Sequence, residues 1–118
     1  MRNFTLPLLI AFFLLSGCQT TPQEARMKSA DFHQVSSRSA GQLSECIYRG
    51  WSSTEVVQKD NTTHREQEGQ RVTVYTWENS MFADVYKRGE GSEVRFYKTF
   101  SMGPEVLADR SRIVKRCA

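Results

Sequence analysis

Cysteine, histidine and the carboxylates are the residues of this 118-residue chain whose spacing decides what chemistry is open to it. Cysteines stand at positions 18, 46 and 117, and a thiol can act as a nucleophile, a cross-link or a metal ligand. No Cys-x-x-Cys occurs, and no histidine or acidic cluster neighbours Cys46 or Cys117. The two histidines, His33 and His64, fall in polar stretches, outside any metal-ligand spacing such as His-Glu-x-x-His, and read as solvated loop residues. No Gly-x-Ser-x-Gly elbow and no phosphate-cradling glycine loop is present. Glu78 and Asp84 are the carboxylates best placed to form an acid/base pair, but spacing alone does not bring them together. Asp84 sits mid-strand among aromatics, and the plainer reading is a solvated strand face. Catalysis is therefore not expected, and neither a metal nor a cofactor is called for.

The first residues explain the first cysteine. Arg2 precedes an apolar run from Phe4 to Leu15, interrupted by Pro7, and Ser16-Gly17-Cys18 follows. This is the three-part layout of an export signal. The run is shorter than the roughly 20 residues that span a bilayer. Leu15-Ser16-Gly17-Cys18 resembles the lipobox of bacterial lipoproteins, and the resemblance covers residues 1–19. It implies that a diacylglyceryl group joins the Cys18 sulfur, that a peptidase recognising Leu15, Ser16 and Gly17 cuts before Cys18, and that the new amino group is acylated. Two or more acyl chains at about 0.8 kcal/mol per buried CH₂ make such an anchor stable. Gln19, where an aspartate tends to retain such proteins at the inner membrane, points to the outer membrane with the domain in the periplasm.

With Cys18 assigned to lipid, Cys46 and Cys117 remain, and an exported domain with two cysteines most simply pairs them. The chain divides into a signal peptide at 1–17, a lipidated N-terminus and flexible tether at 18–37, with a short helix from about Pro22 to Gln34 as the alternative for part of it because Ala25, Met27 and Phe32 would share partial faces, and one globular domain at 38–118. Removing Arg2 with the signal leaves 15 basic against 13 acidic side chains. That near balance gives no footprint for nucleic acid. Mean hydropathy is -0.52 despite the apolar start, so the mature part is polar. A folded part this small buries only about 60% of its unfolded surface and gains from a staple.

The elements follow from periodicity. Ser39-x-x-Gln42 is a capping box ahead of Leu43, Cys46 and Ile47, predicting a helix near 40–50 with Gly50 as its stop. Strands are predicted at Thr54–Lys59, Gln70–Trp77, Met81–Lys87 and Glu93–Phe100, with a polar loop at 60–69 and a hairpin turn at 88–92. A last helix fits Pro104–Arg116, with Val106, Leu107, Ile113, Val114 and Cys117 near one face. The predicted fold is α+β: a four-stranded antiparallel meander with an N-terminal and a C-terminal helix on one face (α-β-β-β-β-α).

The other face would then be open. Tyr75, Trp77, Phe82, Tyr86 and Tyr97 would line it as a possible binding surface, or, like Trp51, serve as core and cross-strand pairs. Arg110, Arg112, Lys115 and Arg116 form a basic end that would either meet anionic head groups or complement the helix dipole. The function this favours is a non-catalytic binding or structural module anchored in the cell envelope, with another envelope protein or a glycan as partner. An anchored inhibitor or exclusion lipoprotein of plasmid or prophage type is the alternative, and an envelope enzyme the third reading.

Overall fold

A computed structural model of the chain describes residues 20–54, 60–99 and 103–118. The signal and lipobox residues 1–19 lie outside the described residues, as does most of the strand expected at Thr54–Lys59.

β-branched and aromatic runs build the sheet. Arg71–Thr76 (β3), Met81–Arg88 (β4) and Gly91–Lys98 (β5) form a tight antiparallel meander. Their registers pair Val74 with Ala83 and Ala83 with Phe96. The meander is four-stranded, but its first strand is His64–Glu68 (β2), inside the stretch expected to be a loop. A fifth strand, Phe32–Ser36 (β1), lies antiparallel on the free side of β5, and Pro22–Arg26 (α1) precedes it. The sheet order is β1-β5-β4-β3-β2. The α+β class therefore stands, with five strands among the described residues rather than four and a third helix. The expected tether is corrected too, because residues 22–36 belong to the folded unit. Backbone bonds from the sheet edge hold them there, among them Asp31 N–H donating to the Phe96 carbonyl at 2.8 Å.

Ala40–Ser52 (α2) starts where the capping box predicts, with both reciprocal bonds formed between Ser39 and Gln42. It runs past Gly50, which is a packing residue rather than a stop. A Cβ there would lie 2.5 Å from the Ile113 side chain of Pro104–Cys117 (α3), so the missing side chain lets the two helices close. Leu43, Ile47 and Trp51 from α2 and Ile113, Val114 and Cys117 from α3 pack on Val74, Met81, Ala83, Val85, Val94 and Phe96. The Cys46–Cys117 disulfide joins the helices, its Cα atoms 5.8 Å apart.

The two ends of this sheet differ. At one end lie the start of α1, the 77–80 turn between β3 and β4, Thr99 and the 60–63 segment. At the other lie Ser36, the Gly89-containing turn, and Ala118, whose carbonyl accepts from Ser36 Oγ at 3.0 Å.

Candidate functional site

Strand alternation puts Tyr75, Thr73 and Arg71 of β3 on the face away from α2 and α3, with Phe82, Asp84, Tyr86 of β4 and Tyr97, Arg95, Glu93 of β5. This is the face predicted to be open. Half of it is closed. Tyr75, Phe82 and Tyr97 are buried with Ala25 of α1 in a second, smaller core. Phe82 stacks on Tyr97 with ring centroids 5.0 Å apart, and His64 stacks on Tyr75 at 4.8 Å. Three of the five expected binding aromatics are thus packing residues, and His64 lies in strand β2. His33 lies on edge strand β1, beside Arg95.

What closes the face is a buried ion pair. Thr21 caps α1, accepting from Glu24 N–H at 3.1 Å, and Pro22 opens it, so the chain enters at a fixed angle. Arg26 then reaches Asp84, which has no exposed side-chain surface. Its Nε and Nη2 donate to the two carboxylate oxygens at 2.7 and 3.0 Å. Thr73 Oγ1 donates to the same carboxylate at 2.7 Å. The guanidinium also lies over the Phe82 ring, 4.8 Å from its centroid. Burial alone would lower the pKa of Arg26, but hydrogen bonds and charge from Asp84, with Tyr75, more than reverse this and raise it. Asp84 is neither solvated nor a free acid; it is the anchor of α1.

A second ionic cluster lies on the helix side. Asp60 Oδ2 accepts from Arg110 Nη2 at 3.2 Å, from Thr76 Oγ1 at 2.6 Å and from Trp77 N–H at 2.8 Å. Arg110 also donates to Asp109, at 3.0 Å. Its backbone carbonyl accepts from Trp51 Nε1 at 3.1 Å. Burial acts to raise the pKa of Asp60, yet the hydroxyls of Thr62 and Thr76 and the amides of Trp77 and Thr62 hold it well below the ordinary carboxylate value. The pKa of Arg110 is lowered by burial, against the pull of Asp109 and Asp60. Arg110 is fully buried and so leaves the expected basic end. Arg112, Lys115 and Arg116 remain on the surface.

The accessible part of the face is the other half. Tyr86 is flanked by Arg95 and Arg88, whose guanidinium carbons lie 5.1 and 5.7 Å from the ring centroid. Glu93 bridges the two arginines, at 2.7 Å from Arg88 and 3.4 Å from Arg95. Val35 of β1, 70% exposed, stands beside Glu93. Arg71 lies across the pair from Tyr86, with its Nη2 3.1 Å from Glu68 and its buried Nε, which makes no hydrogen bond among the described residues, facing the Asp84 carboxylate at 3.8 Å. Guanidiniums stacked on a phenol ring present planar donors, which suit carboxylate, phosphate or sugar hydroxyl groups. Trp77, 42% exposed, sits apart from this patch in the turn beyond β3.

No protein-family model, no curated protein and no solved structure matches this chain. The patch therefore has to be read from its own chemistry. Of the expected aromatic set, only Tyr86 lies in it. Sequence reading missed Arg88, Arg95 and Arg71 as its partners, although alternation along β4 and β5 puts Arg88 and Arg95 on the Tyr86 face. It also missed Arg26. The Thr21-Pro22-x-Glu24 start was the available signal for that helix.

Proposed function

We propose that the protein is a lipid-anchored protein of the cell envelope. Cys18 carries the lipid, residues 1–17 are removed, and the domain is a non-catalytic binding module facing the periplasm from the outer membrane. The observation that carries this reading is the polarity of the sheet. The helix α1 begins at Pro22, four residues after Cys18, and its approach lies at the Thr76–Met81 end. The Tyr86 patch lies toward the opposite end, five residues along β4, or about 16 Å at strand spacing. An anchor at one end leaves the patch turned toward the periplasm. The partner that fits is an envelope component bearing carboxylate, phosphate or sugar groups.

Growth with labelled palmitate, followed by crosslinked capture from native membranes, tests both parts. The wild type should carry label and capture one abundant envelope component. Cys18→Ser should lose the label, and the Arg88→Ser/Arg95→Ser pair should keep the label and lose the partner. An unlabelled wild type would overturn the anchor, and capture unaffected by the arginine pair would overturn the patch.

A further inference from the structure

From the geometry at the anchor end, and resting on the lipid-anchor reading above, we infer that the 77–80 turn is a membrane-contact element. It seats the Trp77 indole in the head-group layer of the same membrane that holds Cys18.

Chain reach brings the membrane to this end of the domain. Thr21 is fixed as the cap of α1, with its carbonyl accepting from Ala25 N–H at 2.9 Å, and α1 is clamped to the sheet through Arg26 and Asp84. Cys18 lies three residues before Thr21, and three residues span at most about 11 Å when fully extended. The lipid surface is therefore within about one helix diameter of the Thr21 end of the domain.

Trp77 is at that end. Thr20, Thr21 and Pro22 line one cleft together with Trp77, Asn79 and Thr99. The remaining large exposed apolar residues among the described ones, Met27 and Val35, line no part of it. An indole has an apolar body and one N–H donor, which is why tryptophan concentrates where hydrocarbon meets water.

The turn is also built to hold this pose. Trp77, Glu78 and Asn79 have φ of 54°, 56° and 74°, three successive non-glycine residues in the left-handed region. Such backbone persists only when its surroundings over-determine it. Here Trp77 N–H donates to Asp60 and Glu78 N–H donates to Thr62 Oγ1, each at 2.8 Å. Ser80 Oγ donates to the Trp77 carbonyl at 2.6 Å, and Arg110 fixes Asp60 from below. The buried Asp60 cluster thus acts as the mount for an exposed tryptophan.

Charge makes the contact an interfacial one rather than an electrostatic one. Near the cleft, Lys98 is matched by Asp31 at 3.5 Å, and Lys28, which lines the neighbouring groove with Thr20, is balanced by Glu78 in the cleft itself, so this end carries no excess of positive charge. The basic residues Lys115 and Arg116 sit at the far end of α3, next to Ala118 and Ser36.

The test uses the full lipidated protein, purified from membranes and reconstituted into phosphatidylcholine vesicles with or without brominated acyl chains. The signal of Trp77 is obtained as the difference between wild type and Trp77→Phe, while Trp51, buried in the core, is the internal reference. The expected result is co-flotation with vesicles, a blue-shifted Trp77 component and its loss of emission over brominated lipid, with Trp51 unchanged and the loss insensitive to salt. Co-flotation with an unquenched Trp77 would overturn this inference and leave the anchor standing. Shielding of Trp77 that arises only on adding an envelope protein would overturn it in the same way. Failure of the wild type to float would overturn the anchor and the inference together.

Discussion

Asp84 and Arg26 make the sharpest test at the level of single residues. Removing one partner of a buried pair leaves an uncompensated charge, which costs roughly 3–5 kcal/mol, whereas replacing both by apolar residues is often near neutral. Asp84→Asn should therefore destabilise the domain by about 3 kcal/mol in urea unfolding. The Arg26→Met/Asp84→Leu pair should recover most of that, and equal losses from the single and double changes would contradict the ion pair as the clamp of α1. Asp60 predicts a pH dependence. Its pKa is lower folded than unfolded, so it adds stability that is present above the unfolded value near 3.9 and is lost as pH falls through the folded one. Stability should decline progressively below about pH 4, and Asp60→Asn should flatten that decline in acid titrations of unfolding. Both clusters left a trace in the sequence. Asp84 interrupts an apolar alternation. Arg110 falls on the apolar stripe of α3 between Leu107 and Ile113, a position that requires a buried partner. Neither partner was legible, because Arg26 and Asp60 lie 58 and 50 positions away and in segments without periodicity.

Elements with strong periodicity were the ones readable in advance. α2, α3 and β3 to β5 follow their apolar patterns to within a few residues at each end. The strands β1 and β2 do not, for a physical reason. Among the described residues both are edge strands, paired on one side only, and His-Arg-Glu-Gln-Glu in β2 has no apolar face to read. α1, at five residues, is too short for a helical period to register. Its place is set by a cap and one distant ion pair. Gly91 shows how closely β1 docks: a Cβ there would lie 2.3 Å from the Ser36 carbonyl oxygen. Since that neighbour is backbone, Gly91→Ala should loosen β1, seen as faster amide exchange at Phe32–Ser36 with α2 protected as before. The disulfide closes a span of 71 residues between α2 and α3. Its loss in Cys46→Ser/Cys117→Ser should lower stability by about 4 kcal/mol, read from the urea midpoint. A midpoint shared with the wild type would show that the helices need no staple.

At the scale of the whole molecule, one fact organises the rest. The chain enters the fold at one end of the sheet, and the accessible arginine–tyrosine patch lies toward the other. The sequence suggested a leash of about twenty residues, because residues 19–37 are polar and carry no period. The fold takes up fifteen of those as α1, its connection and β1, between Pro22 and Ser36. Under the proposed lipid anchor at Cys18, this short approach holds the domain close to the membrane with a defined orientation. Among the described residues no helix is long and apolar enough to cross a membrane. The most direct measurement is the intact mass of the protein extracted by detergent from the membranes of cells that produce it. Lipid anchoring predicts a chain that begins at Cys18, lacks residues 1–17, and is heavier by a diacylglyceryl group and an amide-linked acyl chain. A mature chain that begins elsewhere, or one whose Cys18 is unmodified, would contradict it.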